Sequence, residues 1–274
     1  MRILTVLFSC LCISGVAAAE TVSINGLHGL DESRYHRIES EEIGRGYHVV
    51  VGLPAGYDES GDTTYPTIYI LDGGVLYPLL KGYYNYLRHS EEAPAAILVA
   101  ISYGASDFAD GNMRSNDYTA PTDEREFWGG AEAFQSFLQN DLIPFIEKEY
   151  RSAPAQRVIF GQSIGGQFVL FTAQTQPDLF WGHIASNPAL HRNLPFFLEL
   201  HADAGSSSGQ SRLYVGSGSH DDPTFRVPAL EWIEHWTNQP DLPWALRAET
   251  LQSHTHFSIP PASFRQGLKW IFEH

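Results

Sequence analysis

A pentapeptide in the second half of the chain contains the residue types that a serine nucleophile requires. Gly161-Gln162-Ser163-Ile164-Gly165 fits the pattern G-x-S-x-G, in which the serine stands on a sharp turn from a strand into a helix. The flanking glycines are needed because a Cβ there would collide with the neighbouring strand and helix. Arg157 to Phe160 predict the strand and the residues from Ile164 onward predict the helix, so Ser163 is a candidate nucleophile.

A serine hydroxyl attacks poorly unless a base removes its proton, so a histidine is expected elsewhere in the chain. In folds that use this motif the order along the chain is serine, acid, histidine. His254 and His256 follow a predicted strand at Leu246 to Leu251 and precede the last predicted helix. A loop there would bring an imidazole to the end of the sheet at which Ser163 lies, and either histidine could serve.

The acid is expected after the predicted strand Arg212 to Ser217, where Asp221 and Asp222 stand side by side. A carboxylate at such a strand end can orient the imidazole and stabilise the imidazolium. Asp222 precedes Pro223, which is typical of a helix N-cap followed by the first helical residue. Asp221 is therefore the favoured acid and Asp222 the alternative. His220 and the two aspartates also suggest a metal tripeptide, but adjacent side chains converge poorly on one ion, so no metal site is predicted.

Acyl transfer also needs donors for the oxyanion that develops on the carbonyl. One is expected to be the backbone N–H of Ile164, which follows the nucleophile. The other is expected from Asp72-Gly73-Gly74, after the predicted strand Thr67 to Leu71, where two glycines let the main chain approach a substrate. We predict the N–H of Gly74 for this second donor, although Asp-Gly alone is also an ordinary turn signal.

The remaining sequence predicts a mostly parallel sheet that would carry these residues at one edge. From about Tyr47 onward, short β-branched runs alternate with longer helical patterns, which is typical of a sheet covered by helices on both faces. The first of these strands is expected to pair antiparallel with an earlier strand around His36 to Ser40. The predicted strands are Tyr47 to Leu53, Thr67 to Leu71, Ala95 to Ser102, Arg157 to Phe160, Gly182 to Ser186, Arg212 to Ser217 and Leu246 to Leu251.

Four helices are predicted between and after these strands. In the longest, apolar residues recur every three or four positions and bury one face, and Pro144 should kink it. The segment from Tyr103 to Gly129 has little periodicity and is expected to be a long loop, either a functional lid or binding loop or a plain surface excursion. The predicted helices are Gly130 to Tyr150, Ile164 to Gln174, Ala229 to Thr237 and Pro261 to Phe272.

Composition and charge exclude several classes of protein. The 274 residues are 43% hydrophobic and 18% charged, which predicts one sizeable core rather than a disordered or fibrous chain. A net charge of −15 argues against a nucleic-acid partner, because phosphate backbones are bound by clustered Lys and Arg. Internal repeats and heptads were not found, which argues against solenoids and coiled coils.

The first 19 residues resemble a secretory signal peptide. Met1-Arg2 is followed by the apolar stretch Ile3 to Val16 and by Ala17-Ala18-Ala19 at an expected cleavage site. The alternatives are a buried helix or a lipoprotein anchor at Cys10, and stable membrane insertion is not expected. Cleavage would leave residues 20–274 as one exported domain, periplasmic or secreted. It would also remove both cysteines, Cys10 and Cys12, and change the net charge from −15 to −16.

Four segments are similar to the landmarks of the putative-esterase family of α/β hydrolases. They are Pro54-Ala55-Gly56-Tyr57, Tyr65 to Gly73, Gly161 to Gly166 and His256-Phe257-Ser258. The resemblance spans roughly Tyr35 to Phe272, and its relatives include siderophore esterases, S-formylglutathione hydrolases, feruloyl esterases and mycolyltransferases. It implies the α/β-hydrolase fold. It also favours His256 over His254, because the family's histidine usually stands two residues before a serine.

The resemblance has two further consequences for individual residues. Arg114, Asp117, Tyr118 and Pro121 resemble a family segment in the long loop, which implies that Arg114 shapes the substrate pocket, although a structural salt bridge would explain it equally well. Asn187-Pro188-Ala189 departs from the Ser-Pro-Ser of relatives, and Asp221 stands where some relatives carry glutamate.

Together these observations predict an exported serine carboxylesterase. Ser163, His256 and Asp221 would form an acyl-enzyme with a small-molecule ester, and no metal or organic cofactor is implied. The alternatives are a siderophore trilactone esterase, an acyltransferase of the same fold, which forms the same acyl-enzyme, and a non-catalytic binding protein on this scaffold. The negative net charge gives an anionic siderophore no general attraction.

Overall fold

Eight strands from the described part of the chain form a single sheet. The computed structural model describes residues 30, 33–199 and 211–273, so the predicted signal peptide with both cysteines lies outside them. The strands are β1 (Ser33–Ser40), β2 (Arg45–Gly52), β3 (Tyr65–Ile70), β4 (Ile97–Ser102), β5 (Ser152–Gln162), β6 (Gly182–Ser186), β7 (Ser211–Gly218) and β8 (Trp244–Leu251). Their spatial order is β1-β2-β4-β3-β5-β6-β7-β8.

Most of the sheet is parallel, as predicted. β1 and β2 pair antiparallel, with His36 opposite Val49, and β2 pairs antiparallel with β4. From β4 through β3, β5, β6 and β7 to β8, every pairing is parallel. The carboxyl ends of these six strands therefore meet at one edge of the sheet, which is where ligands bind in open α/β sheets.

Helices cover both faces of the sheet. They are α1 (Gly73–His89), α2 (Arg114–Asp117), α3 (Ala131–Phe137), α4 (Ile143–Glu149), α5 (Ile164–Thr175), α6 (Leu194–Phe197), α7 (Pro223–Thr237) and α8 (Pro260–Ile271). Apolar side chains of α1 and α8 pack on one face, and those of α3, α5 and α7 pack on the other. None of the helices in the described residues is both long and apolar enough to cross a membrane.

Helix α1, which carries one of the predicted oxyanion donors, was not among the predicted helices. Two glycines at its start and Pro78 in its second turn have poor helix propensity, so the local sequence does not favour a helix. Leu76, Leu80, Tyr84 and Leu87 nevertheless lie on one buried face, spaced by three or four residues. Burial of this face outweighs the propensity cost, because packing supplies most of the stability of a helix in a protein.

Two other predicted helices differ from those observed. The helix expected from Gly130 to Tyr150 consists of α3, a π-helical turn at Leu138–Leu142, and α4. Pro144 explains the wider turn, because a proline has no N–H for the carbonyl four residues earlier and its ring would clash with it. Helix α7 begins at Pro223 instead of Ala229, since Asp222 caps it by accepting a hydrogen bond from Thr224 N.

Candidate active site

Ser163 stands on a sharp turn between β5 and α5, with φ 60° and ψ −118°. Its backbone N–H donates to Ser186 O and its carbonyl accepts from Ala189 N, both at 3.0 Å, which fixes the turn against the end of β6. A Cβ on Gly161 would lie 2.2 Å from the carbonyl oxygen of Gly165, so the first glycine of the motif is required by the close passage of the helix.

The structure brings Asp221 and His256 together. His256 Nδ1 lies 3.1 Å from Asp221 Oδ2, and each residue is only 8% exposed. Asp222 N donates to the other carboxylate oxygen of Asp221 at 2.8 Å, while the side chain of Asp222 accepts from Thr224 N at the start of α7. The two neighbouring aspartates thus have different partners, and the alternative acid is engaged as a helix cap. His254 Nδ1 lies instead 3.1 Å from the carbonyl oxygen of Ser258.

Asn187 is a third partner of the acid, which the sequence analysis did not assign. Its Nδ2 donates to Asp221 Oδ2 at 2.7 Å, and its Oδ1 accepts from Gly218 N at 2.8 Å. The residue is 2% exposed and has φ 40°, a left-handed conformation that asparagine tolerates better than most side chains. The departure from the family's Ser-Pro-Ser at this position was the available signal.

Packing and one hydrogen bond fix the loop that carries His256. Its imidazole stacks on Phe225 with ring centroids 4.2 Å apart, and Phe257 meets it edge-on at 5.5 Å. Gln162, next to the candidate nucleophile, donates through Nε2 to His256 O at 2.8 Å. The loop after β8 is therefore attached directly to the end of β5, which holds the histidine beside the serine turn.

Both predicted oxyanion donors lie at helix starts. Ile164 is the first residue of α5. The first hydrogen bond within this helix is donated by Gln167 N to Ser163 O, so the N–H of Ile164 is not used by it. Gly74 is the second residue of α1, where Val75 N and Leu76 N donate to Asp72 O. Because the first N–H groups of a helix have no carbonyl partner within it, those of Ile164 and Gly74 can serve a ligand.

Ser163, His256 and Gly74 line one cavity of about 440 Å³. Its wall is mostly apolar and includes Val75, Leu76, Leu79, Ala105, Phe257 and Pro260. Phe257 is 90% exposed, so most of its ring surface is accessible on the cavity wall beside the histidine. A cavity of this size with a few convergent polar groups is typical of a small-molecule site.

Arg114 lines the same cavity and also forms the salt bridge that was the alternative interpretation. Its Nε and Nη2 donate to the two carboxylate oxygens of Asp72, each at 2.8 Å. Asp72 has φ 53° and immediately precedes Gly73 and Gly74. Burial opposes the charge on Arg114, but the hydrogen bonds and charge of Asp72 outweigh it and raise the pKa of the guanidinium. Arg114 thus holds the turn that presents the Gly74 N–H.

The long loop forms part of the cavity wall. Residues 103, 105, 106, 112 and 114 face the cavity, and α2 interrupts the loop. Buried Asp117 anchors it by accepting from Arg45, from Tyr47 OH at 2.8 Å and from Tyr103 OH at 3.0 Å. Burial raises the pKa of Asp117 to about 6, against the opposing effect of Arg45. The segment between β4 and α3 is therefore tied to β2 by a buried polar network.

Comparisons with known proteins match most of this chain. A family model described as "Putative esterase" matches residues 40–263. The ferri-bacillibactin esterase of Bacillus subtilis is 33% identical over 177 residues, which cover 59% of this chain and 60% of that protein. A siderophore triacetylfusarinine C esterase of Aspergillus fumigatus is 29% identical over 215 residues, covering 75% of this chain and 70% of that one. The matched part is therefore less than two thirds of the length of the Bacillus subtilis protein.

A solved structure supports the fold independently. The BES protein from Bacillus cereus superposes with a TM-score of 0.77 at 21% sequence identity, covering 89% of this chain and 95% of that one. Similarity at this identity is evidence for the fold alone. The α/β-hydrolase fold expected from the sequence is confirmed.

Proposed function

Because this chain belongs to the putative esterase family, we propose that it hydrolyses carboxylic esters with Ser163 as the nucleophile. The observation that carries the proposal is the convergence of a buried Asp221–His256 pair and a strained serine turn on one cavity. Each element comes from the end of a different parallel strand, and this is the arrangement that serine acyl transfer requires.

The reaction proceeds through two acyl transfers. His256 takes the proton of Ser163 Oγ as the oxygen attacks the ester carbonyl, and Asp221 stabilises the imidazolium. The N–H groups of Ile164 and Gly74 stabilise the oxyanion of the tetrahedral intermediate. Collapse breaks the ester C–O bond, and His256 returns the proton to the departing alcohol. Water, deprotonated by His256, then attacks the acyl-enzyme and releases the acid and Ser163.

The proposed substrates are esters of the siderophore class, including cyclic trilactones. Of the two relatives, one is an esterase of ferri-bacillibactin and the other is a siderophore esterase of triacetylfusarinine C, which supports this proposal. The apolar wall around Val75, Leu79 and Phe257 favours a substrate with rings or hydrocarbon beside the scissile bond.

We also propose that residues 1–19 direct export of the protein. The positive start, the apolar stretch and the alanines before Glu20 support this proposal. Cell fractionation followed by N-terminal sequencing tests it. A mature protein that begins at Glu20 outside the cytoplasm is expected, whereas intact protein confined to the cytoplasm would contradict it.

Substitution of the nucleophile tests the proposed reaction. Ser163→Ala should lower the turnover of 4-nitrophenyl esters and of a trilactone siderophore by on the order of 10⁴-fold, with an unchanged far-UV circular dichroism spectrum. Ser60→Ala, in an exposed loop, is the matched control and should retain full activity. A fluorophosphonate should add one phosphonyl group to the wild type, with loss of fluoride, and none to Ser163→Ala. Retention of most activity by Ser163→Ala would exclude the mechanism.

Product analysis of the wild type with an added alcohol separates hydrolysis from acyl transfer. Formation of alkyl ester products would indicate an acyltransferase.

A further inference from the structure

Two arginines pack against one tryptophan where two loops at the carboxyl edge of the sheet meet. The guanidinium carbon of Arg192 lies 4.4 Å from the ring centroid of Trp128, and that of Arg125 lies 5.0 Å from it. Both distances are within the range of cation–π attraction. Arg125 and Trp128 belong to the long loop and Arg192 to the loop after β6, so the group, called here the Arg–Trp–Arg cluster, joins two loops at the carboxyl edge of the sheet.

The backbone around Arg192 connects this cluster to the candidate nucleophile. Ala189 N donates to Ser163 O at 3.0 Å, and Arg192 O accepts from Gln167 Nε2 at 2.6 Å on the first turn of α5. The neighbouring His191 meets Phe225 with ring centroids 5.0 Å apart, and Phe225 stacks on His256. The loop that carries Arg192 thus contacts both the serine turn and the packing around the histidine.

The cluster carries more positive charge than its surroundings balance. Among the described residues, the ion pairs include neither Arg125 nor Arg192, and Nη1 of Arg192, which is shielded from solvent, has no hydrogen-bond partner. Burial and the charges of Arg114 and Arg125 lower the pKa of Arg192, and the exposed Glu124 opposes this only in part. Two guanidinium groups without a balancing carboxylate would be stabilised by an anion that contacts their accessible N–H groups.

We propose that the Arg–Trp–Arg cluster binds an anionic oxygen group of the ester substrate, such as a carboxylate or a phenolate. The inference rests on the proposed function and specifies its substrate class: esters that carry a negative charge away from the scissile bond. Trp128 contacts both guanidinium groups and keeps the two charges together, so one anion can contact N–H groups of both. Arg192 is the partly buried member of the pair, and Arg125 is the exposed one.

A local cluster of this kind can act against the charge of the whole chain. The net charge of −15 repels an anionic ester at long range. Salt screens that repulsion beyond about 10 Å at 0.1 M ionic strength, whereas charges in direct contact with a ligand are screened much less. Binding of an anion here is therefore expected to weaken only moderately as salt is added.

Matched pairs of esters test the proposal. The first pair places the charge on the acyl half: 4-nitrophenyl hexanoate and the 4-nitrophenyl half-ester of adipic acid. The second places it on the alcohol half: phenyl hexanoate and 4-carboxyphenyl hexanoate. Arg192→Gln should lower kcat/KM for the charged member of at least one pair by about tenfold and change the neutral member less than twofold. Lys148→Gln removes an exposed positive charge at the end of α4, just before β5 begins and therefore at the opposite edge of the sheet from the cluster. It should change neither ester.

A second variant and a binding measurement separate the possible failures. Arg125→Gln removes an exposed charge and should show the same selectivity more weakly, which covers the case that Arg192→Gln fails to fold. Calorimetry with Ser163→Ala should show adipate monomethyl ester binding about tenfold more weakly when Arg192→Gln is added. Equal losses for charged and neutral esters, or unchanged anion binding in both variants, would overturn the subsite. If the wild type hydrolyses no ester, the proposed function fails and calorimetry alone decides the subsite.

Discussion

Asn187 donates a 2.7 Å hydrogen bond to Oδ2 of Asp221, the same carboxylate oxygen that lies 3.1 Å from His256 Nδ1. The amide and the imidazole thus share one carboxylate oxygen, Asp222 N binds the other, and Gly218 N donates to the amide oxygen of Asn187. The acid is fixed by three elements: the end of β6, the end of β7 and the start of α7. A carboxylate held in this way keeps the imidazole in one orientation through the reaction.

Replacing Asn187 should lower turnover without weakening substrate binding. Asn187→Gly keeps the left-handed backbone free of strain and removes only the amide, so kcat should fall about tenfold with KM unchanged. Asn187→Ser retains a hydroxyl donor and should recover part of the loss. Steady-state kinetics on one 4-nitrophenyl ester measures both values. An unchanged kcat in Asn187→Gly would show that the amide does not position Asp221.

The two adjacent aspartates should respond differently to the same substitution. Asp221→Asn replaces the acceptor that orients His256 and should lower kcat on the order of 10⁴-fold. Asp222→Asn should stay near wild type in activity and stability, because asparagine caps a helix as well as aspartate does. Kinetics and thermal unfolding of the two variants provide the comparison. Equal activity losses would mean that the acid is not assigned correctly.

The bidentate pair of Arg114 and Asp72 should act on catalysis through the Gly74 turn. Arg114→Lys cannot form both hydrogen bonds, and we expect it to lower kcat about tenfold while KM changes little. Asp72→Asn keeps tolerance of the left-handed backbone and should have a similar effect. The double variant should be no worse than either single one, because both break one interaction. A rise in KM confined to Arg114→Lys would instead indicate direct substrate contact.

His183, in the centre of β6, should make stability depend on pH. Burial lowers the pKa of its imidazole to about 3, whereas an exposed histidine titrates near 6.5. Between these values the unfolded chain binds a proton that the folded chain does not. The stability that the neutral imidazole contributes is therefore fully present above pH 6.5 and is lost as pH falls below it. As pH falls below 6.5, the free energy of unfolding of His183→Leu should decrease by about 1.4 kcal/mol less per pH unit than that of the wild type.

Urea unfolding at pH 7, 6 and 5 measures this difference. The other titrating groups are common to both proteins, so the difference between the two slopes reports one site. Parallel pH dependence of wild type and His183→Leu would contradict a neutral buried imidazole. A constant offset between the curves would report only the change in packing.

The parallel core of the fold was predictable because local patterns and long-range packing agree there. Gly182–Ser186 is a short buried strand between turn residues, and its predicted bounds match those of β6. At the start of β5 the local pattern and the packing disagree. Pro154 argues against a strand, but β5 extends back to Ser152. The pairing of β5 with β3 shifts register there, between Tyr65 and Thr67. Proline is tolerated at such an irregularity.

Residue types and their order along the chain located the candidate triad positions, but not the residues around them. The chemistry demands an acid and a base after successive strands, Asp221 was favoured because Asp222 is typical of a helix cap, and His256 was favoured over His254 by the family resemblance. Asn187 has no such signature, and it meets Asp221 only because β6 and β7 are neighbours in the sheet. Arg192 and Trp128 are likewise brought together by two separate loops. Their contacts depend on the folded arrangement and leave no local pattern.

At Ser163 the residue that the reaction needs is also one that lowers the stability of the folded chain, because its φ is positive. A residue with a Cβ in such a positive-φ conformation costs about 1–3 kcal/mol, and a glycine would not bear this cost. Glycine there would recover it, less about 1 kcal/mol for the greater entropy of the unfolded chain, and the resulting inert protein should melt at a higher temperature. A homologous chain with glycine at this position is therefore expected to keep the fold and to lack the reaction.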